Sequence, residues 1–242
     1  MDILLIAGLW LDGSAWDAVV PHLRELGHRA VPLWLPGQGA PPAAATLADQ
    51  HAAVLAAVDA AAGKVVVVGH SAAGTLAWMA ADARPEQVAR VVMIGGFTSS
   101  DGKAYADFFE LEDGVMPFPG WEPFDGPDSA DLDDEKRQRI ASAAIAVPEA
   151  VARGIVRLRD ERRFEVPVTL ICPEFSPAEA RGWIDGGEVP ELAKARHVDY
   201  VDIESGHWPM FTRPAELAGL LAAAADAADA VDAVDAADAA DA

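Results

Sequence analysis

Short apolar runs recur along this chain, separated by longer amphipathic stretches, and that alternation predicts its architecture. Asp2 to Ala7, Arg29 to Leu33, Val65 to Val68, Val88 to Ile94, Val168 to Cys172 and Val198 to Ile203 read as strands. Near-continuous apolar character suits a strand whose two faces are both covered. Between these runs lie helical patterns over Ser14 to Leu26, Thr46 to about Ala62, Ala72 to Ala83, Pro177 to Ile184 and Pro214 to Ala224. Ser14 with Asp17 and Thr46 with Asp49 are spaced as capping boxes, Gly27 and Gly63 stop the first two helices, and Pro85 ends the third. Strands alternating with helices imply one doubly wound, parallel α/β sheet with helices on both faces.

Two stretches break the rhythm. Residues 98–165 are far longer than an ordinary connection of about two to six residues, so they read as an insertion with helices of its own. Its first half carries Phe108, Phe109, Met116, Phe118, Trp121 and Phe124, and its second half, from Asp131 to Arg162, is charged and alanine-rich. A lid over the carboxyl edge of the sheet is the economical reading. From Ala222 onward Asp recurs every third position among Ala and Val. That spacing drifts around a helix and leaves no steady apolar stripe, so a frayed acidic tail is expected. The organisation expected is therefore a core over 1–97 and 166–222, a lid over 98–165 and a low-complexity tail over 223–242.

Charge narrows the function classes. The chain has 242 residues and a formal net charge of −21, of which six negative charges lie from Asp226 to Asp241. Without them −15 remains, so binding to nucleic acid or to an anionic membrane surface is not expected: both need clustered Lys and Arg. The single Cys172 rules out an intramolecular disulfide framework, no His/Cys cluster has metal-ligand spacing, and neither a metal nor a cofactor is expected. The first residues lack the basic flank and cleavage site of a secretory signal, and no long uncharged apolar run stands outside the alanine-rich segments. A soluble, cytoplasmic protein with a small-molecule substrate is expected; nothing in the sequence speaks to its oligomeric state.

The chemistry concentrates where strands end. After the four valines comes Gly69-His70-Ser71-Ala72-Ala73-Gly74, which predicts a sharp turn from strand into helix with the Ser71 hydroxyl exposed at the carboxyl edge of the sheet. The run resembles the nucleophile elbow G-x-S-x-G of the α/β hydrolases, with Ala73 in the last glycine position. A nucleophilic serine needs a neutral imidazole to take its proton. His207, in Glu204-Ser205-Gly206-His207-Trp208-Pro209, follows the last predicted strand at the same edge as Ser71. His22, His28 and His51 fall on helix surfaces or ends, His197 lies at the opposite edge, and His70 points away from the serine at the turn. His207 is therefore the expected base.

The remaining parts come from the resemblance. It places the acid that orients the base after the strand Val168 to Cys172, where Glu174 stands; Asp101, Asp185 and Glu188 are alternatives. It places one oxyanion donor after the early strand. Members usually carry His-Gly-x there, whereas this chain has Ala7-Gly8-Leu9-Trp10. The group required is a backbone N–H, so Leu9 and Ala72 are the expected donors. Taken with Gly8 to Trp16, Leu35 to Gly39 and Ser205 to Trp208, the elbow is similar to that of the esterase-like α/β hydrolases with a small lid. The likeness spans nearly the whole chain apart from the tail, and serine, acid and histidine stand in that family's order. Members often have two further strands before the early one; here Met1 is followed at once by that strand, and a six-stranded sheet is expected.

Trp10, Phe118, Trp121 and Trp208 are the expected walls of the substrate site. The resemblance implies a serine hydrolase that cleaves an ester or related carbonyl bond through an acyl-enzyme. The same fold also serves hydroxynitrile lyases, carbon–carbon hydrolases and perhydrolases, and non-turnover binding proteins.

Overall fold

A computed structural model of the chain describes residues 1–39 and 44–240. Its strands, in chain order, are β1 (Asp2–Ile6), β2 (Arg29–Pro32), β3 (Val65–His70), β4 (Val88–Ile94), β5 (Val115–Met116), β6 (Val147–Pro148), β7 (Val168–Cys172) and β8 (Val198–Asp202). Six of them form one sheet in the order β2-β1-β3-β4-β7-β8, every pair parallel, while β5 and β6 pair antiparallel in a separate ribbon. The helices are α1 (Val20–Glu25), α2 (Leu47–Asp59), α3 (Gly74–Ala83), α4 (Asp134–Ala143), α5 (Glu149–Ala152), α6 (Pro177–Asp185), α7 (Pro209–Thr212) and α8 (Pro214–Ala240).

Alternate strand residues feed two cores. Leu4, Ile6, Val65, Val67, Val91 and Met93 pack with α2 and α3 on one face. Ile3, Leu5, Val66, Val68, Val92 and Ile94 pack with α1 and α8 on the other. Burial of both faces explains why the inner strands β1, β3, β4 and β7 are predominantly apolar, since each such side chain removed from water contributes roughly 1.5–3 kcal/mol.

The strand order fixes where a site can form. From β1 the chain first steps outward to β2, then returns to the other side of β1 as β3. The connections after β1 and β3 therefore part company at their carboxyl ends and leave a crevice, the usual place for a ligand on an open parallel sheet. Gly8 and Ser71 lie at that crevice.

Three local expectations are corrected. The first helical stretch begins as a single 3-10 turn, Gly13–Trp16, and becomes α-helical only at Val20. Asp12, rather than Ser14, caps it: the Asp12 carboxylate accepts the Ser14 N–H at 2.9 Å and the Ser14 hydroxyl at 2.5 Å. The charged half of the insertion is only partly helical, with α4 and α5 separated by β6. The alanine-rich end of the chain continues α8 to Ala240 instead of fraying. Alanine's helix propensity outweighs the modest cost of one aspartate in three, and the first turns of that stretch are anchored, with Ala224, Ala225 and Ala228 buried. Among the described residues no helix is long and apolar enough to cross a membrane.

The insertion is pinned to the core at its exit. Asp82 in α3 accepts the Arg159 and Asp160 N–H groups, each at 2.8 Å, and the buried Arg163 bridges Asp82 and Glu191 at 3.2 and 3.0 Å. A buried charge network of this kind holds one geometry, because breaking it would strand an uncompensated charge.

Candidate active site

Ser71 stands at the end of β3 with φ of 54°, in the left-handed region that an L residue occupies at a cost of roughly 1–2 kcal/mol. The turn is tight enough to require small neighbours. A Cβ on Gly69 would run into the Ala73 carbonyl, and Ala73, in the position where the motif has glycine, is fully buried and tolerated. Just past the end of β4, a Cβ built on Gly96 would lie 2.9 Å from the Ser71 carbonyl oxygen. Ala72 follows in the turn and is buried, and Leu9 follows Gly8, where a built Cβ would lie 3.1 Å from Ser71 Cβ. Ala72 is thus the serine's neighbour in the chain, and the glycine preceding Leu9 packs against the serine.

His207 and Glu174 meet across the ends of β7 and β8. His207 Nδ1 and Glu174 Oε1 are 2.6 Å apart, and both side chains are largely enclosed. The carboxylate accepts, so Nδ1 carries the proton and Nε2 is left as the basic nitrogen. The link to the serine runs through a diglycine at the end of β4. A Cβ on Gly95 would stand 3.2 Å from both Glu174 Oε2 and His207 Nδ1, while Gly96 abuts Ser71. Gly95 has φ of 59°, so the position favours glycine on backbone grounds as well. Of the alternative acids, Asp101 instead accepts the Leu158 N–H at 2.9 Å, within the insertion.

The insertion braces both reactive loops through the main chain. The His207 N–H donates to the Asp128 carbonyl at 2.7 Å. Gly206 is pressed so closely on the same segment that a Cβ there would clash with Asp128 O and lie 2.5 Å from Asp131 Oδ1. On the other side, the Ile145 N–H donates to the Trp10 carbonyl at 2.9 Å, and the Trp10 indole N–H to the Met116 carbonyl at 3.3 Å. Trp10 holds φ of 62° under this double restraint. Burial, and then the charge of Glu174, raise the Asp128 carboxyl above its ordinary value.

The four expected wall residues form one aromatic chain. Trp10 meets Phe118 edge-on at 5.5 Å between ring centres, Phe118 meets Trp121 at 5.3 Å, Trp121 meets Trp208 at 5.3 Å, and Trp208 meets His207 at 4.8 Å. Phe109 and Phe124 complete it, each packed on Trp10. Edge-to-face pairing of this kind adds about 0.5–1.5 kcal/mol beyond the buried area and holds the rings in place. A second aromatic group, missed in the sequence, stands beside the acid: Phe97, Phe175 and Trp183, with Phe97 and Phe175 stacked at 5.5 Å. Their signal was adjacency, Phe97 following the diglycine and Phe175 following Glu174. Every expected site residue is therefore gathered at one edge of the sheet. Among the described residues no group of three or more His, Cys, Asp or Glu is arranged to hold a metal ion.

Comparison with known proteins bears on the family and the fold. A family model described as the alpha/beta hydrolase family matches residues 3–220. The chain is 28% identical over 248 residues to Probable hydrolase R7 of a Phoma species, an alignment covering 92% of this chain and 97% of that one. It is 34% identical over 122 residues to Lipase LipV of Mycobacterium tuberculosis, covering 49% and 45% of the two chains. Among solved structures, an extracellular alpha/beta-hydrolase from a Paenibacillus species superposes with a TM-score of 0.73 at 19% identity, over 93% of this chain and 98% of the other.

Proposed function

The chain belongs to the alpha/beta hydrolase family, and within it we propose a serine hydrolase that cleaves esters of small to medium, partly apolar acids or alcohols. The observation that carries this reading is the 2.6 Å bond from His207 Nδ1 to Glu174 Oε1, at the same sheet edge as a serine held at φ of 54°. Ser71 Oγ attacks the carbonyl carbon as its proton passes to His207 Nε2. Glu174 stabilises the imidazolium that forms, and the N–H groups of Leu9 and Ala72 receive the negative oxygen of the tetrahedral intermediate. His207 then protonates the leaving alcohol, leaving an acyl group on Ser71. Water, deprotonated by His207, releases the acid and restores the serine.

The aromatic chain around Trp10, Phe118, Trp121 and Trp208 supports an uncharged, apolar substrate, as do the carboxyl groups of Asp128, Asp131 and Glu174 around the base loop, which would repel an anion. The similarity to proteins named lipase and hydrolase supports ester cleavage at the level of the family. A panel of short-chain esters, lactones and thioesters, run with Ser71→Ala as control, tests the proposal. Ester turnover that Ser71→Ala abolishes is expected; turnover of cyanohydrins in place of esters would contradict it.

A further inference from the structure

His70, the residue between the glycine and the serine of the elbow, is taken up by no step of the chemistry above, yet it is the most enclosed imidazole at the site, with 1% of its surface exposed. Its Nε2 lies 2.7 Å from the backbone carbonyl of His207. A carbonyl only accepts, so Nε2 carries the proton and Nδ1 does not. Nδ1 has no hydrogen-bond partner and faces Gly8, where a built Cβ would come within 2.8 Å of it. The ring lies 4.9 Å from that of His207, centre to centre.

We propose that His70 is a positioning residue, an imidazole that fixes the base loop against the nucleophile elbow by donating its Nε2–H to the His207 carbonyl while its other edge seats the Gly8 turn. The inference rests on the reading of Ser71 as nucleophile and His207 as base. One side chain thereby touches all three loops whose relative placement decides the reaction: its own elbow, the turn carrying Leu9, and the loop carrying His207. The opposite side of the His207 main chain is held by Asp128 O, so the base loop is gripped from the core by His70 and from the insertion by Asp128. Burial, and then the neighbouring His207, push the His70 pKa down to about 3. The ring therefore stays neutral in the working range and keeps its one donor. Protonation would put a second donor at Nδ1, facing only the Gly8 backbone, so the site is built for the neutral form. An apolar side chain of similar size would fill the space without the bond, which separates positioning from packing.

The test combines ¹⁵N-histidine NMR with the rate of covalent labelling by an alkyl fluorophosphonate, on wild type, His70→Gln, His70→Leu and Ser71→Ala. Wild type should show a histidine signal locked in the Nε2–H tautomer from about pH 5 to 9, where a free imidazole would titrate, that is lost in His70→Leu, whereas His51, whose Nε2 lies 3.1 Å from the Met79 carbonyl, should keep its own signal in that variant. His70→Leu should label about 10- to 100-fold more slowly, the scale of a misplacement of about 1 Å, whereas His70→Gln, which keeps an N–H donor, should recover most of the rate. A His70 signal that titrates in that interval or shows the Nδ1–H tautomer would overturn the inference. So would wild-type labelling by His70→Leu, or a folded His70→Gln as slow as His70→Leu. Failure of wild type to label, or labelling that survives Ser71→Ala, would instead remove the reading of Ser71, and the tautomer in wild type would still decide the hydrogen bond by itself.

Discussion

Glu174 Oε1 lies 2.6 Å from His207 Nδ1, and the space beside the pair is filled by Gly95, where a Cβ would stand 3.2 Å from both groups. A side chain at Gly95 would therefore fit only if the pair gave way by a few tenths of an ångström. Its other carboxylate oxygen, Oε2, is buried without a partner, so the orientation of Glu174 depends on the histidine as much as the reverse.

Replacing Glu174 by Gln keeps the shape and removes the charge that stabilises the imidazolium. The amide can also present N–H to Nδ1 and select the wrong tautomer. Turnover should fall by about 10⁴ with a small change in KM. Steady-state kinetics check this, and a near-normal kcat would move the orienting acid elsewhere.

Gly206→Ala should damage the site through packing. The added methyl meets Asp128 O and Asp131 Oδ1, and overpacking of this sort costs about 1–3 kcal/mol. Thermal unfolding should show a lower Tm, and activity should fall further than the lost folded fraction explains, since His207 follows directly. Unchanged stability and turnover would mean that the insertion does not bear on the base loop.

His70 should make the fold acid-sensitive. Its pKa of about 3 in the folded chain lies below the ordinary 6.5, so between those values the unfolded chain binds the extra proton. The contribution is complete above about pH 6.5 and is lost as pH falls through the window, at about 1.4 kcal/mol per pH unit. His70→Gln lacks the group. The Tm of wild type should therefore drop more steeply than that of His70→Gln on moving from about pH 7 to about pH 4.5. Parallel slopes would show that His70 is not held neutral by burial.

Phe124 touches Trp10, Phe109, Phe118 and Trp208. Phe124→Ala should open the aromatic wall and shift preference toward bulkier esters, by roughly tenfold in relative kcat/KM, the scale of one or two methylenes in an apolar pocket. A chain-length series of esters measures it. An unchanged profile would place the substrate outside that wall.

What the sequence made legible was what local chemistry writes. Four valines, a glycine and a serine demand a strand and a strained turn, and β3 with Ser71 follows. Thr46 and Asp49 form the capping box that their spacing predicts. His207 was expected from its loop after the last strand, at the same edge as Ser71, whereas Glu174 came from the family resemblance, with Asp101, Asp185 and Glu188 left open. What remained hidden depends on contacts between distant segments: the grip of Asp128 on His207, of Ile145 on Trp10 and of His70 on the His207 carbonyl spans from 79 to 137 positions. No periodicity encodes such pairings. At the chain end, the threefold Asp spacing was the wrong signal, because an amphipathic stripe matters less for a segment whose alanines carry the helix.

The central claim is that Ser71 is the activated nucleophile, and the most direct measurement is the intact mass of the protein after treatment with an alkyl fluorophosphonate, followed by peptide mapping. One phosphonyl group per chain, on Ser71, is expected, lost in Ser71→Ala and strongly slowed in Glu174→Gln. A folded wild-type chain that takes up no label, or one labelled equally after Ser71→Ala, would contradict it.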